Sequence, residues 1–357
     1  MEITQIKNPL PRKFKRLSFF SLIIIILTFP ILIWYLLYIC CKNFYVTPRF
    51  TNTFHRFGKY DPLYHGTEKY SLAVLTTDSI IKNNSLIAFS TKEKNNLKFQ
   101  EHEIINGNTI LSSLILINPN NKNNKWVIAM HGWTENKFLA LRMTRHFYNE
   151  GYNIVSFDAR NHGKSSAKTI GFGFFEKHDL AMVIKYLHKN FIVQSIGLIG
   201  NSMGGSTIIE FIKEYSEKIK ELKVSWAISD CAYSSFIEQL RWMSMTIFKK
   251  HWFWTISVMR LSLRLVNELK VKKLVPKNNL KKCATIPLLI IHGEKDNFVP
   301  LYMAYDIYHH KIRDEEKQIS ELLVIKDAGH VQSITTDYDL YTSKTLLFAK
   351  THEEITN

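Results

Sequence analysis

Along residues 97–357, short apolar runs alternate with longer stretches whose apolar positions recur every three or four residues. The runs read as strands over 99–105, 110–117, 126–130, 153–157, 196–199, 224–229, 287–291 and 321–325. Asn106-Gly107-Asn108 between the first two is a hairpin signal, because both residue types tolerate the positive φ of a tight turn. The periodic stretches read as helices over 138–149, 174–189, 204–220, 301–311 and 336–353. Strands separated by helices of this length imply an α/β fold with a mostly parallel sheet covered on both faces. Residues 234–285 break the alternation.

The pattern is different upstream. Leu17 to Cys41 is a run of 25 residues without a charge. As a helix it would reach roughly 37 Å, enough for a hydrocarbon core of about 30 Å. Trp34, Tyr35 and Tyr38 fall towards its far end, where amphipathic rings favour the interface. A cleaved signal peptide would have a shorter apolar core and a small-residue cleavage site, and neither is present. The expectation is an uncleaved transmembrane anchor over 17–41, preceded by a basic cytoplasmic tail over 1–16. Five Lys or Arg in 1–16 against three in 42–57 put the N-terminus in the cytoplasm and the rest of the chain outside the cell membrane. Residues 42–96, with helical patches at 70–75 and 79–90, read as a membrane-proximal connector.

The net charge is +16, of which the first sixteen residues carry +4, and the excess is spread rather than gathered in one stripe. Attraction to an anionic membrane surface accounts for it as well as a compositional bias does. No nucleic-acid recognition motif is present, so no nucleic-acid partner is expected. Cys40, Cys41, Cys231 and Cys283 have neither zinc spacing nor a disulfide framework, and no metal or cofactor is implied by them.

Candidate chemistry gathers where strands end, which in a parallel sheet is where reactive sites lie. The strand at 196–199 runs into Gly200-Asn201-Ser202-Met203-Gly204, a G-x-S-x-G between strand and helix. That turn lifts a serine hydroxyl to the positive end of a helix. After the strand at 287–291 comes His292-Gly-Glu-Lys-Asp-Asn-Phe-Val-Pro300, which offers Asp296. After the strand at 321–325 comes Lys326-Asp-Ala-Gly-His330. In this reading His330 takes the proton of Ser202 and Asp296 orients the imidazole. Met203 N–H and a donor from the His131-Gly132-Trp133 turn, most naturally Trp133 N–H, would form an oxyanion hole. Asp230 is the rival acid, read as a loop residue; His131 and His162 read as loop-shaping, and His309-His310 as solvated.

Residues 125–350 resemble the α/β-hydrolase superfamily of serine hydrolases. The resemblance rests on His131-Gly132, Asp158-Ala-Arg-Asn-His-Gly-Lys-Ser165, Gly200–Gly205, His292–Pro300 and Gly329-His330. Gly171-Phe-Gly-Phe-Phe-Glu-Lys-His-Asp-Leu180 and the apolar segment are similar to its membrane-anchored bacterial branch, related to esterases, thioesterases and prolyl-oligopeptidase-type peptidases. Asn201 departs from the family, where many members place histidine before the serine. The resemblance implies an eight-stranded sheet with its second strand antiparallel, no cofactor, and a lid at 234–285. Trp242, Met243, Phe248 and Trp252 in that insertion, mixed with basic residues, are candidate substrate contacts for an acyl or lipid-like ester. The expected protein is thus a membrane-anchored carboxylic-ester hydrolase. Oligopeptidase, aminoacyl-peptidase or thioesterase activity is the enzymatic alternative, and a catalytically silent lipid- or partner-binding scaffold the other.

Overall fold

The described residues of the computed structural model are 27–29, 31, 32, 35, 99–167, 169–246, 255–267 and 269–353. The tail at 1–16, most of the expected anchor at 17–41 and the connector at 42–96 lie outside them. Among the described residues, no helix is long and apolar enough to cross a membrane.

Eight strands form one sheet: β1 (Phe99–Asn106), β2 (Thr109–Leu116), β3 (Lys125–Met130), β4 (Asn153–Phe157), β5 (Ser195–Asn201), β6 (Val224–Asp230), β7 (Leu288–Gly293) and β8 (Glu321–Ile325). Their spatial order is β1-β2-β4-β3-β5-β6-β7-β8. β2 runs antiparallel to both β1 and β4, and the remaining pairs are parallel. The first hairpin closes with Asn106 opposite Thr109, and Gly107 takes φ +57° at no steric cost. In β4, β5, β6 and β7 every residue is buried, which is why these strands read as unbroken apolar runs rather than alternating ones.

The helices are α1 (Lys137–Ala140), α2 (Arg145–Asn149), α3 (Glu176–Asn190), α4 (Met203–Glu214), α5 (Phe236–Thr246), α6 (Thr255–Asn267), α7 (Tyr302–Ile312), α8 (Ser333–Thr336) and α9 (Tyr338–Glu353). On one face of the sheet, Leu180 and Ile184 of α3, Ile208 and Phe211 of α4 and Ile307 of α7 join one core cluster. On the other, Phe138 of α1, Phe147 of α2 and Tyr341 and Phe348 of α9 join a second.

Three expected helices differ in detail. The one expected over 138–149 is two short helices joined by a tight turn at Leu141–Met143. Thr144 Oγ1 donates to the Leu141 carbonyl at 2.9 Å, a local bond that competes with the helical ladder. The helix after Ser202 stops at Glu214, short of 220. The last one divides at Asp337 (φ −138°), whose carboxylate accepts the Leu340 N–H at 3.1 Å and caps α9. The insertion at 234–285 contains α5 and α6 followed by two short turns, Val271–Lys273 and Leu280–Cys283.

The lower edge of the sheet is tied by the end of α9. Glu353 accepts hydrogen bonds from Lys125 Nζ at 2.7 Å, Tyr152 OH at 2.9 Å and Trp226 Nε1 at 3.2 Å. The Trp226 indole fits only because Gly197 lies opposite it in β5, where a Cβ would stand 1.9 Å from the ring. Cys231 and Cys283 are free and buried.

Candidate active site

β5 carries the chain up to Asn201, and α4 starts at Met203, so one residue makes the whole reversal. That residue is Ser202, at φ +52° and ψ −115°, a conformation an L residue keeps only where its surroundings impose it. Two backbone bonds do so here: Ser202 N–H donates to the Asp230 carbonyl at 2.8 Å, and Ser206 N–H to the Ser202 carbonyl at 2.9 Å. Glycines make the fit possible. A Cβ on Gly204 would lie 2.4 Å from the Met130 carbonyl oxygen, so α4 starts hard against the end of β3.

His330 follows β8 and stands between Ser202 and Asp296. Its Nε2 lies 3.0 Å from Ser202 Oγ, and its Nδ1 lies 2.7 Å from Asp296 Oδ2. Asp296 is fixed by its other oxygen, which accepts the Phe298 and Val299 N–H groups at 2.9 and 2.8 Å. The Phe298 ring packs on the imidazole at 4.8 Å between centroids. Behind them, His292 Nε2 lies 2.8 Å from the Val299 carbonyl, so it carries the proton; burial lowers this imidazole's pKa and keeps it neutral. The structure therefore brings Ser202, His330 and Asp296 into one hydrogen-bonded line.

Asp230, the rival acid, is elsewhere. Its carboxylate accepts the Ser333 hydroxyl at 2.8 Å, and burial pushes it up to about 7. Among the described residues, the one group with metal-ligand spacing is Cys231, Asp296 and His330, within 4.8 Å of one another. Burial holds the Cys231 thiol well above its usual range, and the other two are already bonded to each other.

The His131-Gly132-Trp133 turn lies directly over the serine: a Cβ on Gly132 would be 3.3 Å from Ser202 Cβ. Trp133 and Met203 line the same small cavity as Ser202. Two neutral histidines hold the turn. His131 Nδ1 lies 2.7 Å from the Gly132 carbonyl while its Nε2 accepts Ala159 N–H at 2.9 Å, and His162 Nε2 accepts Thr134 N–H at 3.3 Å. Burial lowers them to about 4 and about 3, so neither is an acid–base group near neutrality.

Glu135 is the residue that sequence reasoning missed. One of its oxygens accepts both Gly132 N–H at 2.7 Å and Asn201 Nδ2 at 2.8 Å, and the other pairs with buried Arg142 at 2.8 Å. One carboxylate thus joins the expected oxyanion turn to the residue before Ser202. It also gives Asn201, the departure from the family pattern, a partner. An acid three residues after Gly132, with a basic residue seven further on, was the available signal.

Burial alone would raise the Glu135 pKa; Arg142, Asn201 and Gly132 outweigh it, and the carboxyl sits below the usual range. A depressed carboxylate contributes stability above its ordinary pKa of about 4.3 and loses it as pH falls through the folded-state value. Glu135→Gln strands the buried Arg142 charge, and is expected to cost about 3 kcal/mol at pH 7. Urea unfolding midpoints should show that gap narrowing below about pH 4. A gap that does not change with pH would mean that the charge is not what matters.

Of the expected substrate contacts, Met243 lines the cavity beside Ser202. Trp242 instead donates its indole N–H to the Asn297 carbonyl at 2.9 Å, and Gln239 donates to the Phe298 carbonyl at 2.8 Å. These two bonds fasten α5 to the loop that carries Asp296. Phe248 and Trp252 lie outside the described residues. The loop at Gly171–Phe175 supplies Phe172 to the cavity, and Glu176 holds that loop by accepting Gly171 and Gly173 N–H at 2.6 and 2.7 Å.

Residues 121–285 match the family described as Serine aminopeptidase, S33. The chain is 27% identical over 217 residues to the uncharacterized protein YqkD of Bacillus subtilis (strain 168), covering 60% of this chain and 68% of that one. Among solved structures it is similar to the Pyrococcus furiosus esterase Pf2001, with a TM-score of 0.59 and 25% identity over 74% of this chain and 94% of that one. It also resembles in fold the Pyrococcus horikoshii acylaminoacyl peptidase, with a TM-score of 0.54 and 19% identity, covering 72% of this chain and 41% of the peptidase. With these similarities, the eight-stranded, mostly parallel sheet and the serine on a strained strand-to-helix turn give the chain the α/β-hydrolase fold.

Proposed function

We propose that the protein is a serine hydrolase that cleaves carboxylic esters with an apolar acyl group. In this reading, Ser202 Oγ attacks the ester carbonyl as His330 Nε2 takes its proton. The oxygen that becomes negative is received by the N–H groups of Met203 and Trp133. Collapse of the tetrahedral intermediate returns the proton from His330 to the departing alcohol and leaves an acyl-enzyme. Water, deprotonated by the same imidazole, then releases the acid. Asp296 keeps the imidazole in the Nδ1–H tautomer throughout and stabilises its charged form.

The observation that carries the ester reading is the lining of the cavity at Ser202. Trp133, Phe172, Phe236, Leu240, Met243, Phe298 and Val299 surround it together with Tyr233 and the uncharged Gln239, and no acidic residue is among the lining residues described. An aminopeptidase must hold its substrate's ammonium group, and burying that charge in such a wall without a carboxylate is unfavourable. In the described state the cavity is about 30 Å³, the room of a single water. An acyl chain enters only if the α5–α6 lid moves. A series of p-nitrophenyl esters tests the reading: butyrate or longer should exceed acetate in kcat/KM by about tenfold or more. Aminoacyl anilides should be poor substrates. Acetate turned over far faster than longer esters, or anilides turned over as readily as esters, would overturn it.

The same proposal places the enzyme at a membrane, held by 17–41 with the hydrolase domain at 97–357 outside the cell. Its support is the uncharged run of 25 residues and the three lysines or arginines that follow it against five that precede it. The described part of that run is helical, and Leu27, Phe29, Ile31, Leu32 and Tyr35 are all exposed.

A further inference from the structure

The lid helix α6 is apolar on two sides. Ile256, Met259 and Leu263 pack inward on the cluster that includes Met203 and Phe236. Leu261 and Leu265, one turn apart, face outward and are 49% and 67% exposed. Arg260 and Arg264 run beside them at the same spacing. Across a groove of about 430 Å³, the stretch Leu269–Lys273 presents Lys270, Lys272 and Lys273. A second groove of about 580 Å³ shares Lys272 and Lys273 and runs on to Lys282, and there Lys177 is paired with Glu214 at 2.8 Å.

These cations differ from their neighbours. Lys277 meets Glu238 and Asp306, and Lys213 meets Glu210. Among the described residues, Arg260, Arg264, Lys270, Lys272 and Lys273 form no ion pair, although they share one groove. Five like charges around exposed leucines repel one another, and an anionic partner relieves that repulsion. A polyanion such as a nucleic acid would satisfy the charges and leave the leucines in water, with no aromatic ring among the described residues of the groove to stack a base. A bilayer with anionic headgroups satisfies both: phosphates among the cations, leucines at the acyl boundary.

We propose that the outer face of α6, with the Leu269–Lys273 stretch, docks on an anionic phospholipid surface. Because the inner face of the same helix packs on the cluster around Met203, docking places the lipid on the other side of α6 from that cluster. This goes beyond the ester reading and does not depend on it, since the docking face contains none of the reacting groups.

The test is amide hydrogen exchange of the full chain, reading peptides from 255–273. It compares phosphatidylcholine vesicles with vesicles containing about 30% phosphatidylglycerol. Exchange should slow about tenfold more with the anionic vesicles and recover in roughly 0.5 M salt, where charges are screened within a few ångströms. Arg260→Glu with Arg264→Glu should abolish the difference, and Leu261→Ser with Leu265→Ser should reduce it. Both pairs are surface changes, and an unchanged urea midpoint verifies the fold. Equal exchange in the two vesicle types overturns the proposal. So does equal protection by inorganic phosphate alone, which would mean a free-phosphate site, or by a single-stranded oligonucleotide, which would mean a nucleic-acid surface. Fluorophosphonate labelling of Ser202, followed in parallel, separates the two ideas: docking without labelling would sink only the hydrolase reading.

Discussion

Ser202→Ala is expected to lose all labelling by a fluorophosphonate probe and to lower kcat by about a factor of a million, leaving only what binding and polarisation of the carbonyl supply. The size follows from geometry. Ser202 Oγ is the hydroxyl placed 3.0 Å from His330 Nε2, and the imidazole activates nothing once that oxygen is gone. Stability should change little, because alanine inherits the same strained backbone and the two backbone bonds that hold it. Persistent labelling, or kcat within tenfold of the parent, would mean that the nucleophile lies elsewhere; no labelling of the parent would favour the silent scaffold.

The second large effect separates two aspartates. Asp296→Asn should lower kcat about ten-thousandfold. The amide has no choice of orientation, because one side must remain an oxygen to accept the Phe298 and Val299 N–H groups. Its NH2 therefore points at His330 Nδ1, which must give up its proton, and the proton left on Nε2 blocks the acceptance of the serine's. Asp230→Asn should stay within about tenfold of the parent, since its carboxyl accepts from Ser333 and lies off the hydrogen-bonded line. Its signature is in stability. With a folded-state value of about 7 against 3.8, burial favours the protonated form, so the stability it supports is full below about pH 4 and fades as pH rises to about 7. In Asp230→Asn that slope should disappear from urea midpoints measured across this window. If Asp230→Asn, rather than Asp296→Asn, removed activity, the two aspartates would exchange roles.

Much of this architecture is legible in the sequence, for a physical reason. A parallel strand buried on both faces is predominantly apolar, which marks β3 to β7, while β1 and β2 are marked by the hairpin between them; all eight expected strands match observed ones to within a few residues. The order of Ser202, Asp296 and His330 is visible because each follows such a run directly. What escapes notice is whatever a distant partner decides. Thr144 and Asp337 divide expected helices through single side-chain bonds that helical periodicity does not register. Glu135 looks like an ordinary loop acid until folding buries it against Arg142. Trp242 reads as a substrate contact by its type, whereas its indole is engaged by the Asn297 carbonyl.

The bonds to Glu353 bear on how the chain is made. Lys125, Tyr152 and Trp226 belong to segments synthesised far earlier, yet all three share a partner at the end of α9. A growing chain folds from its N-terminal side, so the indole of Trp226 stays without that acceptor while β7, β8 and the histidine loop are still being translated. Until residue 353 is free to fold back, the nascent sheet has the strand that leads to Ser202 in place and its lower edge unsealed. A ribosome stalled shortly before that point would therefore hold a domain whose eight strands are all synthesised and whose lower edge is still open to proteolysis.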